Sequence, residues 1–569
     1  MGDVGDGGGH GRSLADVCRR AEPGHNDGSG DGVKPASEGK AMTSGSNPAR
    51  RRFVTGMAVA GGLLGALPLE TVLALTRRES GLSAIGAPRI ALVIGNAKYV
   101  KAAPLANPAN DARGMADALG RAGFSVDLLL DGARTQMAQA IEAFVGRLGR
   151  DKAVGLFYFA GHAMQFSWRN YLLPVDASIG RMEEVTEGAI DVNAVIEGIG
   201  RAANPMNVII LDACRDNPFG RDFRVAQKGL SQLDAPPGTL LAYATAPGNV
   251  AIDGDGANGL YTGELLREIP APEAKIEDVF KRVRLAVRRK SRGLQIPWES
   301  TSLEEDFYFH PPAEVRALGE DEARARFEAE LALYEKIEEA GEAAPLIDYL
   351  KRYPSGRFAE LVQLRLDQVL AQAGEQRVEV VRDEANPYTK GSARVDTAYQ
   401  VGDSYTYRLL DLHTGVEQET RVLRVTKVTD TKVIYNEGKR VSDRLGNPLR
   451  VRKIRISGNQ NIPAEFALGK RWTTRWITNR PNGREESDFD LRVAARETIT
   501  VPAGTFECFR VEFEGQAFGP KGAVEMSGRY WMAPDKVRQM IAQEVLRRQS
   551  KSGKVLKGLR RELVAYQQA

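Results

Sequence analysis

The sequence predicts an α/β fold, a mostly parallel sheet with helices on both faces, followed by a short helical segment and a C-terminal antiparallel β domain. Three observations carry this. Between 88 and 310, short apolar runs without alternation recur with amphipathic stretches between them, as expected of strands that crossover helices bury on both faces. From 315 to 375, Phe327, Leu331 and Tyr334 fall at i, i+4 and i+7, one face of a helix. From 395 to 569 the period drops to two: Tyr405, Tyr407 and Leu409 alternate with polar residues, Val422 and later runs do likewise, and Gly or Asn-Gly turns punctuate them.

In chain order, residues 1–41 are rich in Gly and Asp with no apolar period and are expected to be disordered. Met42 is a second candidate start. Within 42–87, Arg50-Arg51-Arg52-Phe53 precedes an apolar stretch at 56–67, with a small-residue cleavage point near Val72-Leu73-Ala74, the anatomy of an export signal. The Arg-Arg-x-Phe arrangement resembles a twin-arginine signal, which implies export in a folded state to the periplasm or cell envelope. An uncleaved anchor is the alternative, and the only membrane contact expected. In the α/β region, strands are expected at 90–94, 125–130, 154–159, 207–211 and 240–245, and helices at 108–122, 135–148 and near 192–199. The segment Tyr349-Leu350-Lys351-Arg352-Tyr353-Pro354-Ser355-Gly356 resembles a tetratricopeptide-type helix hairpin. One or two such units cannot form a solenoid, so docking or spacing is the economical role.

Two of the strand-like runs lead into residues able to do chemistry. They are Tyr158-Phe159-Ala160-Gly161-His162 and Leu211-Asp212-Ala213-Cys214-Arg215, in a chain with only five His and three Cys. A thiol with an ordinary pKa of about 8.5 is mostly protonated at neutral pH, so a neighbouring imidazole must take its proton before it attacks a carbonyl. Placed just after neighbouring parallel strands, His162 as base and Cys214 as nucleophile would meet at the carboxyl edge of the sheet, where sites form in open α/β folds. A lone Cys and His in a buried sheet are otherwise inert core residues.

Six motifs in order give a resemblance. They are Ile90-Ala91-Leu92-Val93-Ile94-Gly95-Asn96, the run 105–112 with Asn110-Asp111, Phe159-Ala160-Gly161-His162, Asn170-Tyr171-Leu172-Leu173-Pro174-Val175-Asp176, Asp212-Ala213-Cys214-Arg215 and Ala242-Tyr243-Ala244-Thr245-Ala246-Pro247-Gly248. The stretch 89–310 resembles the caspase and metacaspase superfamily, especially its bacterial members, and the His-to-Cys separation fits the roughly 50 residues of caspases. The resemblance implies a cysteine endopeptidase with a Cys214–His162 dyad and an oxyanion hole from the backbone N–H groups of Cys214 and Ala163. Asp212, and Asp111 with it, would line the primary pocket and select Arg or Lys before the scissile bond. The pattern departs at Ala163, normally Gly, and at Ala160, often a small hydroxyl residue. Asp111 also reads as an acid stabilising a helix N-terminus. In the family it resembles, a loop in the place of 215–234, which here carries Arg221, Arg224 and Lys228, divides the larger and smaller parts of the fold and can be cut during maturation; an ordinary surface loop is the plainer reading.

Gly254-Asp255-Gly256-Ala257-Asn258-Gly259 fits a dinucleotide fingerprint, but Asp253 and Asp255 would repel a pyrophosphate and the βαβ context is missing. A glycine-rich loop near the substrate cleft is expected instead. No metal or other cofactor is implied; Ca²⁺ activation is not decided by the sequence, and these acids lack EF-hand spacing. A net charge of +4 from 78 basic and 74 acidic residues implies no nucleic-acid partner. Cys508, on a strand-like run, is expected to be a buried core thiol. The expected partners are polypeptide substrates, with the helical and β regions available to other proteins. The alternative function is a catalytically weak caspase-like scaffold of the cell envelope.

Overall fold

A computed structural model describes residues 83–569 apart from 215–218, 220–229, 247–255, 304, 314–318, 376–385, 482 and 521, all within one compact unit, Ala74–Ala569. The N-terminal extension and export segment, with Met42, Arg50, Arg51 and Phe53, lie outside the described residues, as do Arg221, Arg224, Lys228, Asp253 and Asp255.

The first part of the unit contains β1 (Arg89–Gly95), α1 (Pro108–Arg121), β2 (Ser125–Leu130), α2 (Arg134–Asp151), β3 (Val154–Phe166), β4 (Arg169–Leu172), β5 (Ile190–Asp191) and α3 (Val192–Arg201). It continues with β6 (Asn207–Cys214), β7 (Thr239–Tyr243), α4 (Leu260–Glu268), α5 (Ile276–Lys290) and β8 (Trp298–Thr301). The sheet runs β2-β1-β3-β6-β7-β8, parallel except for β8. Alternation along each strand sorts its side chains between two cores. Val93, Leu156, Tyr158, Ile210 and Ala242 pack with α1, α4 and α5, whereas Leu92, Phe157, Phe159, Ile209 and Leu241 pack with α2 and α3.

Two strands run further than the apolar pattern suggests. His162 and Cys214 lie within β3 and β6 rather than just after them. β3 continues because 163–166 forms a hairpin with β4, through Ser167 and Trp168, both at positive φ. Asn and Gly normally fill such positions, so the sequence carries no turn signal there. The tail of the expected polar loop is also buried. Ser231 exchanges hydrogen bonds with the Asn170 side chain at 2.8 and 2.6 Å, and Asn386 Nδ2 donates to Ser231 Oγ at 2.9 Å. Leu230 and Leu233 are each 2% exposed.

Helices α6 (Glu320–Ile337), α7 (Ala343–Arg352) and α8 (Ala359–Gln372) follow. Phe327, Leu331, Tyr349 and Leu366 form one core with Leu285 of α5 and Ile477 of the C-terminal domain, so the hairpin is docked on both sides. In the C-terminal domain, β9 (Ser392–Arg394) pairs with β16 (Glu465–Ala467). The other twelve described strands, from β10 (Ser404–Asp411) to β22 (Val555–Gln567), close into an antiparallel barrel because β10 pairs with both β11 (Glu417–Val428) and β22. Tyr405, Tyr407 and Leu409 are buried as their alternation predicts; Val422 is 45% exposed, because β11 is exposed on both faces over 417–422. Cys508 is fully buried, and burial pushes its thiol up to about 12. Among the described residues no helix is long and apolar enough to cross a membrane.

Candidate active site

His162 and Cys214 form the last register pair between β3 and β6, which sets their backbones about 4.8 Å apart, the spacing of adjacent strands. The Cys214 side chain lies outside the described part. The His162 imidazole is 4% exposed, with Nε2 2.8 Å from the Ala103 carbonyl oxygen. A carbonyl can only accept, so Nε2 carries the proton and the neutral ring has its lone pair on Nδ1. Tyr99 holds the same histidine from another side. Its hydroxyl accepts from the His162 backbone N–H at 2.7 Å and donates to the Leu173 carbonyl at 3.3 Å, and its ring lies 4.6 Å from the imidazole, centroid to centroid.

This packing explains Gly161. A Cβ there would stand 2.6 Å from the Tyr99 hydroxyl and 3.0 Å from the Phe159 ring, at a φ of +154°. Gly161→Ala is therefore expected to displace Tyr99 and His162 together. It should destabilise the protein by about 1–3 kcal/mol, the usual scale of overpacking, and lower kcat more than it raises KM, as thermal unfolding and steady-state kinetics would show.

Ala163 is not strained by lacking the flexibility of glycine, since it sits in extended β3 opposite Leu172. Ala160 and His162 direct their carbonyls toward β1 and β4, to the N–H groups of Asn96 and Leu173. Strand alternation then turns the Ala163 N–H to the opposite edge, the side on which Cys214 ends β6. Ala160 itself is buried in the sheet core.

The two acids converge on one point. Asp111, 3% exposed in the first turn of α1, accepts from Asn258 Nδ2 at 2.9 Å and from the Gly259 N–H at 3.0 Å. Asp212 accepts from the Thr262 hydroxyl at 2.6 Å, and Thr262 lies 2.7 Å from the Tyr158 hydroxyl, which donates to it. A Cβ on Gly259 would meet Asp111 Oδ2 at 3.2 Å and Asp212 Oδ2 at 3.8 Å, so both carboxylates border the same spot. Burial first, and then the Asp212 and Asp111 charges, hold the Tyr158 phenol well above its ordinary range, so it stays a donor. Asp111 thus stands in the first turn of α1, as its helix-terminus reading requires, and makes tertiary contacts besides, and the glycine-rich loop bears on it through Asn258 and Gly259.

Sequence reasoning missed Ala103, Tyr99, Tyr158 and Thr262. Ala103 acts through its backbone and leaves no residue-type signal. Tyr99 follows the Gly95-Asn96 motif closely and could have been found there. Among the described residues no group of His, Cys, Asp and Glu side chains is arranged to hold a metal.

Comparison with known proteins agrees with this fold. The family described as "Caspase domain" matches residues 88–308, and "DUF3108-like" matches 475–544. The human mucosa-associated lymphoid tissue lymphoma translocation protein 1 is 30% identical over 177 residues, and so is its mouse homolog. That alignment covers 30% of this chain and 20% of each relative, so the chain spans about a fifth of the length of the curated relatives it matches. By its fold and these matches, the segment 88–308 is a caspase-like domain of a protease-type superfamily.

Proposed function

We propose that this domain is a cysteine endopeptidase that cleaves after Arg or Lys. The observation that carries the reading is the register pairing of His162, within β3, with Cys214 at the end of β6, with Nε2 engaged by Ala103 and the lone pair on Nδ1. Nδ1 takes the thiol proton, and the thiolate attacks the scissile carbonyl carbon. The N–H groups of Ala163 and Cys214 donate hydrogen bonds to the resulting oxyanion. The imidazolium, steadied through Nε2–H by the Ala103 carbonyl, gives its proton to the leaving amine, and water then hydrolyses the thioester with His162 again as base. Asp111 and Asp212 supply the negative pocket for the substrate guanidinium or ammonium. A peptidyl-arginine acyloxymethyl ketone should alkylate Cys214, seen as one mass adduct on that peptide, and His162→Ala should suppress the reaction. Equal labelling in that variant would remove His162 from the mechanism.

Polypeptides are the substrates on this reading, and the protein works in the cell envelope. Exchanging Arg50 and Arg51 for Lys is expected to leave the protein in the cytoplasm on fractionation. Unchanged export would reject the twin-arginine assignment.

A further inference from the structure

One loop holds His162 by its backbone and by its ring. β1 ends at Gly95, opposite Ala160 of β3, and the chain then leaves the sheet and runs without regular structure from 96 to 105. Alternation along β3 turns the His162 N–H to the same edge as the Ala160 carbonyl. That carbonyl accepts from the Asn96 N–H at 2.9 Å, and continued pairing would supply the next acceptor, for His162, from β1. The Tyr99 hydroxyl stands in its place. It accepts from the His162 N–H at 2.7 Å and donates to the Leu173 carbonyl at 3.3 Å, while the Leu173 N–H donates to the His162 carbonyl at 3.0 Å. A side chain thus completes the sheet at the residue that serves as base in the peptidase reading.

The same loop carries Ala103, whose carbonyl accepts from Nε2 of the imidazole at 2.8 Å, and the buried Tyr99 ring packs against that imidazole at 4.6 Å between centroids. The loop has anchors of its own. Asp131 follows β2 at a φ of +52°, and one of its carboxylate oxygens accepts from the N–H groups of Ala97 and Lys98 at 2.9 Å each. The Val100 N–H donates to the Val175 carbonyl at 2.9 Å, and the Leu105 N–H closes back on the Ala97 carbonyl at 3.0 Å. The Asp131 carboxylate therefore bonds the loop and not His162.

We propose that Tyr99 is the positioning residue of His162, its hydroxyl fixing the backbone N–H and its ring the plane of the imidazole, so that the base meets the thiol in one orientation. The inference rests on the peptidase reading and gives Tyr99 no part in proton transfer. A displacement of about 1 Å at a catalytic group can cost on the order of 10²-fold in rate. Tyr99→Phe removes the tie to the backbone and keeps the ring, whereas Asp131→Ala loosens the whole loop from a distance.

The test is steady-state turnover of a peptidyl-arginine reporter by the full-length protein, expressed per site that the peptidyl-arginine acyloxymethyl ketone labels at completion, with amide hydrogen exchange at His162 followed in parallel. Counting sites separates two roles, since a merely structural loss lowers their number and misplacement lowers the rate of each. In Tyr99→Phe, kcat per site is expected to fall at least about ten-fold with KM within about two-fold of the parent. The His162 amide should lose protection while the amides of β1 keep theirs. Asp131→Ala should lower kcat likewise, and Asp131→Asn, whose amide oxygen can still accept from Ala97 and Lys98, should restore most of it. Should Tyr99→Phe fail to fold by circular dichroism, the Asp131 variants decide, and unchanged kcat in Asp131→Ala overturns the proposal. Unchanged kcat per site or unchanged His162 protection in folded Tyr99→Phe, or a loss confined to KM or to site number, overturns it too and leaves the peptidase reading standing. A parent protein that neither turns over the reporter nor takes the label fails the peptidase reading itself, and the role of Tyr99 falls with it.

Discussion

Replacing Cys214 by Ala is expected to lower peptidase turnover by about 10⁶-fold, the scale on which loss of a nucleophile or its base acts in a catalytic triad, while the circular dichroism spectrum stays that of the parent. On the proposed mechanism the thiolate is the attacking atom, and neither His162 nor the Ala163 N–H can replace it. Ala retains the backbone N–H at 214, so the oxyanion donors survive and peptide binding should persist. His162→Ala should fall to a similar rate, and the double variant hardly further, because the two groups act as one unit. Additive losses would mean that the two residues do not share a step.

The second large effect concerns charge. Asp212→Asn removes the negative charge, and its amide oxygen can still accept from Thr262, so the local hydrogen bonding to Tyr158 and Thr262 is kept. Breaking one partner of a desolvated charge pair typically costs about 2–5 kcal/mol, so kcat/KM for Arg and Lys substrates should fall at least ten-fold. Substrates with Asp before the scissile bond should gain relative to them, since a repulsive element is gone. Asp111→Asn is expected to act in the same direction, because both carboxylates border Gly259. An unchanged ratio of Arg to Asp cleavage in both variants would make these acids structural neighbours only.

The layered α/β core was legible because its strands are continuous apolar runs and its helices amphipathic, and Tyr405, Tyr407 and Leu409 marked the inward face of the barrel equally well. What escaped the sequence has identifiable physical causes. The extension of β3 past His162 turns on a two-residue loop, Ser167-Trp168, which lacks the Asn or Gly that hairpin turns at positive φ favour. The burial of Leu230 and Ser231 depends on Asn170 and Asn386, residues far away in the chain. Closure of the barrel rests on the pairing of β10 with β22, set by a register that no local window contains. Within the site, His162, Cys214, Asp111 and Asp212 stood out by residue type and position. The Ala103 carbonyl, which settles the tautomer of His162, could come only from coordinates.

The most direct test of the central claim is turnover of matched peptide reporters carrying Arg, Lys or Asp before the scissile bond, by the parent protein and by Cys214→Ala. Release from the Arg and Lys reporters by the parent alone, with the Asp reporter left intact, is the expected result. Preference for the Asp reporter, or equal release by Cys214→Ala, would contradict it.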